Sequence, residues 1–138
     1  MLKLDRHQIA QIFNDAKRDE PNECCGLIGG TDDGRALTIY PLRNIAQNAE
    51  VSYEAAPQEL FNAQRQMRAQ REELLAIYHS HPRAQEPFPS DTDVRLAYYP
   101  TATYLIVGLG KGEPTLRAFK ISEKEYSWVP VEYEIVGE

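Results

Sequence analysis

The first half of the chain contains two stretches with helical spacing of apolar residues and two short apolar runs. Residues 5–18 place an apolar side chain at every third or fourth position, which predicts an amphipathic helix with Asp5 as its N-cap. Residues 57–71 repeat this spacing and open on a proline, a residue that suits the first helical turn. The runs 24–30 and 36–42 flank an Asp-Asp-Gly turn, so they predict a β-hairpin.

The second half begins with a run, residues 74–81, whose two faces are both largely apolar, as is typical of a central strand. One face carries Leu75, Ile77, His79 and His81, and the other carries Leu74, Ala76, Tyr78 and Ser80. The pattern then predicts a loop at 82–89, a short helix at 90–99, and strands at 103–109, 115–121 and 125–136, the last interrupted by Pro130. The predicted fold class is α/β (α+β): a mixed β-sheet flanked by helices, in one domain over residues 1–138.

Composition and charge narrow the possible function classes. The 138-residue chain has a formal net charge of -6 and a pI near 5.1. Nucleic acids and anionic membranes bind clustered Lys and Arg, so we expect neither as a partner. The N-terminal residues lack the apolar stretch of a signal peptide, and no later run is long enough to span a bilayer. We therefore expect a cytoplasmic protein.

The two cysteines, Cys24 and Cys25, are adjacent in the sequence. A disulfide between neighbouring residues is strained, so no disulfide framework is implied. The apolar residues that follow them favour two buried structural thiols, and the alternative is Cys24 as a nucleophile or metal ligand.

A His-Ser-His triplet ends the central strand at residues 79–81. Side chains two apart on a strand point to the same face, so both imidazoles can converge on one metal ion. Hydrogen-bonded core histidines are the commoner reason for such a pair, but two of the three histidines in the chain lie here, where active-site loops of sheet proteins begin. Asp93 can supply a third ligand and leave a fourth position for water. The pattern therefore predicts a catalytic zinc ion in a metallohydrolase.

Ser90 and Asp93 allow two interpretations. Ser-x-x-Asp after a proline is close to a capping box, which simply starts a helix. The same spacing puts a hydroxyl and a carboxylate on one face of the first helical turn, where both can face the histidines. Capping and catalysis are therefore compatible.

Three separated segments together carry a family resemblance. They are Glu23 in Pro-Asn-Glu-Cys-Cys-Gly-Leu, His79-Ser80-His81-Pro82, and Ser90-Asp91-Thr92-Asp93. In this order they resemble the JAMM motif of MPN-plus (Mov34-type) zinc metalloproteases, and the short chain is similar to the small prokaryotic members. The loop between the second and third segments has eight residues, one more than is common in the family. The resemblance implies a JAMM/MPN core, similar to that of cytidine deaminases.

The resemblance also implies a role for each matched residue. His79, His81 and Asp93 would bind Zn²⁺, with a water in the open position. Glu23 would bind that water and act as the general base, since zinc lowers the pKa of water towards about 7. Ser90 would donate a hydrogen bond to the oxyanion of the tetrahedral intermediate.

Several neighbouring residues have competing interpretations. Glu20 lies close enough to compete with Glu23, but only Glu23 directly precedes the Cys-Cys-Gly-Leu strand as the motif requires. Ser80 faces away from the ligands, so we expect it to orient the backbone or a loop. Three aromatic residues near the site can form a substrate rim or pack into the core; these are Phe88, Tyr98 and Tyr99.

Family members similar to this chain hydrolyse the bond after the C-terminal Gly-Gly tail of ubiquitin or ubiquitin-like proteins. The resemblance therefore implies a ubiquitin-like or sulfur-carrier protein as the substrate. Two alternatives stay open: a non-catalytic MPN-type scaffold or binding module of the same fold, and a zinc amidase or deamidase on small substrates. The sequence predicts neither the oligomeric state nor the identity of the carrier.

Overall fold

The computed structural model describes residues 1–137, which form eight strands and three helices. In chain order these are β1 (Leu2–Leu4), α1 (Arg6–Asp19), β2 (Cys25–Gly30), β3 (Ala36–Leu42), α2 (Pro57–Ala69), β4 (Glu73–His81), α3 (Asp91–Arg95), β5 (Thr103–Gly108), β6 (Thr115–Ser122), β7 (Ser127–Val131) and β8 (Tyr133–Ile135). Both longer helices begin as predicted, α1 after a capping box formed by Asp5 and Gln8 and α2 at Pro57.

Six of the strands form one mixed sheet in the order β3-β2-β4-β5-β6-β7, while β1 and β8 pair in a separate parallel ribbon. Within the large sheet β4 and β5 run parallel, and the other neighbours are antiparallel. The prediction that 74–81 is a central strand is confirmed, because β4 lies between β2 and β5. The predicted hairpin of β2 and β3 is confirmed as well.

Helices cover both faces of the large sheet. On one face α1 packs through Ile12 and Ala16 against a cluster that includes Tyr78 and Leu105. On the other face α2 and α3 pack against a cluster that includes Ile77 and Tyr104. The predicted class, a mixed sheet flanked by helices, is confirmed. No helix among residues 1–137 is both long and apolar enough to cross a bilayer.

The predicted alternation along β4 is wrong at its start. The register between β2 and β4 shifts between Ile28 and Gly29, which pair with Ala76 and Leu74 respectively. Leu75 is the extra residue of this bulge, and it packs with the α1-side cluster rather than with Ile77. From Ala76 onward the alternation holds, so the bulge leaves the two histidines on the predicted face.

The second half of the chain differs from the prediction in three main respects. Helix α3 ends at Arg95 rather than near Tyr99: Pro100 disfavours helix at Tyr99, the residue before it, and the helix stops about one turn earlier, with Leu96 as its C-cap. The predicted strand 125–136 divides at Glu132 into β7 and β8. Pro130 does not interrupt it, because β7 is an edge strand and such strands tolerate proline.

Candidate metal centre

The register of β2 against β4 brings the first two motif segments together. Cys25 pairs with His79, so Glu23, just before β2, lies beside the end of β4 that carries His81. Asp93 arrives from the first turn of α3. Three elements far apart in the sequence thus meet at one point, and the longer loop before Ser90 does not separate them.

Two imidazoles and a carboxylate form a nearly equilateral triangle of ligand atoms. His79 Nε2 lies 3.2 Å from His81 Nε2, and each of these atoms lies 3.1 Å from Asp93 Oδ2. Glu23 is the second carboxylate here: it groups with the two histidines, with ligand atoms within 4.8 Å of one another. The structure therefore brings together the three predicted metal ligands and the predicted general base, Glu23.

The donor set fits a divalent metal ion. Ligands bound about 2.0–2.2 Å from one zinc ion at tetrahedral angles lie about 3.3–3.6 Å apart, close to the spacing of the triangle. Two buried side-chain atoms within residues 1–137 lack a hydrogen-bond partner, Glu23 Oε1 and His79 Nδ1, and both belong to this group. An unpaired buried oxygen beside converging ligand atoms is expected where a bound group completes the site.

Asp93 is held in place by the capping box that starts α3. Ser90 N–H donates to Asp93 Oδ2 at 2.9 Å, and Asp93 N–H donates to Ser90 Oγ at 3.0 Å. Burial favours the protonated carboxyl, but the neighbouring His79 and His81 imidazoles and the hydrogen bond from Ser90 N–H outweigh it and hold the pKa of Asp93 well below its usual range. Asp93 is therefore an ionised ligand candidate at neutral pH.

The Ser90 hydroxyl keeps a free proton despite its capping role. Its oxygen accepts from Asp93 N–H, and a hydroxyl can accept and donate at once. The structure thus confirms the capping interpretation and leaves Ser90 able to donate a hydrogen bond beside the histidines.

Glu23 is fixed by its backbone. Its N–H donates to the Ala49 carbonyl at 2.8 Å, and Asn44 Nδ2 donates to its carbonyl at 2.9 Å. Burial, with a smaller contribution from the charge of Asp93, raises the pKa of Glu23 to about 8. A cation held by the histidines acts in the opposite direction, because a nearby positive charge favours the carboxylate. Glu20 is exposed, so it does not share this environment.

Ser80 faces the opposite side of β4, as expected, and is fully buried. Its Oγ accepts a hydrogen bond of 2.8 Å from Cys24 N–H, which anchors the residue next to Glu23. Both cysteines are free and buried. Burial raises the pKa of Cys25 to about 12 and also raises that of Cys24, so both thiols stay protonated, as structural residues do.

Tyr53 is a site residue that the sequence analysis missed. Its ring stacks on the His79 imidazole with a centroid separation of 4.6 Å and an interplanar angle of 27°. It belongs to the loop between β3 and α2, where no helical or strand pattern distinguishes it from its neighbours. The contact constrains the orientation of the His79 ring.

An apolar recess of about 250 Å³ opens beside Asp93, between α2 and α3. Tyr98 and Tyr99 line it and are 65% and 38% exposed, while Phe88 is 58% exposed and stacks on Trp128. The core-packing alternative for these three aromatic residues is therefore wrong. Their use as a substrate rim stays a prediction.

Residues 5–122 match the family described as prokaryotic homologs of the JAB domain. The chain belongs to this family. The resemblance to JAMM/MPN proteins inferred from the motif segments is thereby confirmed, and the JAB/MPN family is metal-dependent. In this prokaryotic JAB protein, the histidine pair, Glu23 and Asp93 all lie within the matched range.

Two curated relatives of this JAB protein are named as enzymes. The chain is 36% identical over 92 residues to the desampylase of Haloferax volcanii, an alignment that covers 66% of each protein. It is 34% identical over 118 residues to the CysO-cysteine peptidase of Mycobacterium tuberculosis, which covers 84% of this chain and 80% of the relative. The expectation of a hydrolase is confirmed at the level of these relatives.

Solved structures agree with the fold. A Desulfitobacterium hafniense protein matches with a TM-score of 0.86 at 32% identity, over 100% of this chain and 94% of that one. A JAB1/MPN domain protein from Archaeoglobus fulgidus matches with a TM-score of 0.65 at 18% identity, over 99% and 98% of the two chains. The second likeness shows that the JAB/MPN fold is shared.

Proposed function

We propose that residues 1–138 form a single JAMM-type domain that acts as a zinc-dependent peptidase or isopeptidase. In this proposal it hydrolyses the bond after the C-terminal Gly-Gly tail of a ubiquitin-like or sulfur-carrier protein. The triangle formed by the two Nε2 atoms and Asp93 Oδ2, with Glu23 beside it, supports the proposal most strongly. The names of the two relatives support the choice of substrate class.

His79, His81 and Asp93 would hold the zinc ion. When bound, zinc supplies a Lewis acid that polarises the scissile carbonyl and acidifies water. Glu23 Oε1 accepts a proton from the attacking water, whose oxygen bonds to the carbonyl carbon, and then delivers that proton to the leaving nitrogen as the C–N bond breaks. Ser90 Oγ–H donates a hydrogen bond to the carbonyl oxygen as negative charge develops on it.

The preference for glycine before the scissile bond follows from the crowding of the centre. Glu23, His79 and Asp93 are all buried, so a substrate carbonyl that reaches them passes between packed loops. A residue without a side chain fits such a passage best. The proposal includes a cytoplasmic location and no nucleic-acid partner, both of which stay predictions from the sequence.

The test combines zinc analysis with cleavage of a ubiquitin-like carrier that ends in Gly-Gly plus a short extension. We expect stoichiometric zinc and cleavage for the wild type. Glu23→Gln should keep its zinc and lose roughly 10²–10⁴-fold in kcat, the usual contribution of a general base. The matched control is Glu20→Gln, an exposed glutamate three positions earlier, which should cleave normally.

Each failure points to a different function. A folded wild type without zinc would favour the scaffold alternative. Bound zinc with cleavage of small amides, and none of the carrier, would favour the amidase. Equal activity of Glu23→Gln and the wild type would remove Glu23 as the base.

A further inference from the structure

An exposed ion pair spans two loops at the candidate centre. Arg83 Nη2 donates to Glu50 Oε1 at 2.6 Å, and the two side chains are 77% and 45% exposed. Arg83 lies two residues after His81, and Glu50 belongs to the loop that also carries Tyr53. Exposed ion pairs contribute little to stability, because both partners are also well solvated apart. The Arg83 guanidinium can therefore exchange Glu50 for another carboxylate at small cost.

Both partners line a recess that opens onto the catalytic groups. The recess has a volume of about 340 Å³ and is lined by Glu23, Glu50, Val51, His81, Pro82, Arg83, Ala84 and Ser90. It lies on the side of the centre formed by Glu23 and Ser90, whereas the apolar recess lies beside Asp93. The centre thus has two neighbouring recesses.

Arg83 is distinctive in its charge. Among residues 1–137, it is the one Arg or Lys that lines either recess. The neighbouring carboxylates of Glu50 and Asp93 repel an anionic group, in a chain whose net charge is -6. Among the side chains that line the two recesses, the Arg83 guanidinium is therefore the one cation that a substrate carboxylate can bind, through two N–H donors.

We propose that Arg83 binds the α-carboxylate of a single amino acid on the leaving side of the scissile bond. This inference rests on the proposed function and specifies its substrate class: a carrier tail capped by one C-terminal residue. The carboxyl carbon of such a residue lies two bonds, about 1.5 Å each, from the scissile nitrogen, so it would lie in the recess that Arg83 lines. A lysine joined through its ε-amine presents methylene groups there and no carboxylate.

The test compares three fusions of one ubiquitin-like carrier. The first ends in Gly-Gly-Ala with a free carboxylate, the second in Gly-Gly-Ala carboxamide, and the third joins Gly-Gly to the ε-amine of a blocked lysine. We expect the wild type to favour the free carboxylate by roughly tenfold or more in kcat/KM, through KM, as for other charge-assisted hydrogen bonds. In Arg83→Gln, kcat/KM for the free-carboxylate fusion should fall close to that for the carboxamide fusion. The values for the carboxamide and lysine fusions should not change.

Two further variants sharpen the comparison. Arg68→Gln, an exposed arginine on α2 that lines neither recess, should behave as the wild type. Glu50→Gln frees Arg83 from its internal partner, so it should lower KM for the free-carboxylate fusion alone. Equal rates on carboxylate and carboxamide in the wild type, or an equal loss on all three substrates in Arg83→Gln, would overturn the proposal.

A binding measurement separates this proposal from the proposed peptidase activity. Isothermal titration calorimetry gives the Kd of the peptides Gly-Gly-Ala and Gly-Gly-Ala-amide. It is done on protein from which a chelator has removed the metal, so that nothing is cleaved. We expect tighter binding of the free carboxylate to the wild type and no difference for Arg83→Gln. If no carrier is cleaved but this difference is present, the peptidase proposal fails and the Arg83 site stands. If both peptides bind alike, the Arg83 proposal is wrong whatever is cleaved.

Discussion

The two serines of the candidate centre use their hydroxyl groups in opposite ways. Ser80 is fully buried on the far side of β4, and its oxygen accepts from Cys24 N–H. Ser90 is partly exposed at the start of α3 and lines the same recess as His81, and its hydroxyl proton remains available for donation. Although Ser80 is adjacent in sequence to both histidines, its contribution is to hold the backbone next to Glu23.

Replacing Ser80 tests that structural role. In Ser80→Ala the buried Cys24 N–H loses its partner, so we expect the free energy of unfolding to fall by about 1–3 kcal/mol. Urea denaturation of protein from which a chelator has removed the metal measures this loss separately from any effect of metal binding. Ser127→Ala, at an exposed position on β7, serves as the control and should change stability by less than about 0.5 kcal/mol. A Ser80→Ala variant as stable as this control would contradict the assignment.

At the scale of the elements, the packing of β2 against β4 depends on the absence of a side chain at Gly26. A Cβ at that position would lie 2.3 Å from three atoms of the Tyr78 side chain. Tyr78 is itself buried, and its hydroxyl donates to Asp15 Oδ2 of α1 at 2.8 Å. The ring is thus held from both sides and has little room to move.

Gly26→Ala should therefore destabilise the protein by more than a typical small-to-large change. We expect a loss of about 3 kcal/mol, at the upper end of overpacking costs, measured by urea denaturation. In a Tyr78→Leu background the same substitution should cost much less, because the atoms that clash are gone. An equal cost in the two backgrounds would show that the Tyr78 ring is not the cause.

The sequence predicts elements where the apolar pattern is long enough to show a period. The helix over 5–18 and the central strand over 74–81 are examples, and both end close to their predicted bounds. β1 has three residues, too few for a pattern, and its partner β8 is at the other end of the chain. The bulge at Leu75 and the stacking of Tyr53 on His79 depend on the neighbouring strand and loop, which local patterns do not contain.

At the scale of the whole molecule, the candidate centre connects segments that are otherwise distant. Glu23 precedes β2, the histidines end β4, and Asp93 begins α3. The motif residues could be identified from the sequence because the family keeps their order. The approach of His79, His81 and Asp93 to about 3 Å could not, since it depends on the order and register of the strands.

An ion that binds this centre in the folded state should stabilise the whole domain. Zinc at 100 times its Kd adds about 2.7 kcal/mol to the free energy of unfolding, so chelation should lower the melting temperature. Calorimetry with and without zinc measures the shift. His81→Gln should abolish it, while His7→Gln, which changes an exposed histidine on α1, should retain it. A wild-type melting temperature that does not respond to zinc would contradict the metal centre.

The pairing of Cys25 with His79 also makes the metal a reporter of folding accuracy. A slip of one residue between β2 and β4 would turn both imidazoles to the opposite face, towards α1. A misregistered chain could keep its secondary structure and still lack the ligand triangle. The zinc bound per molecule in a preparation then counts the correctly aligned chains, a fraction that circular dichroism does not measure.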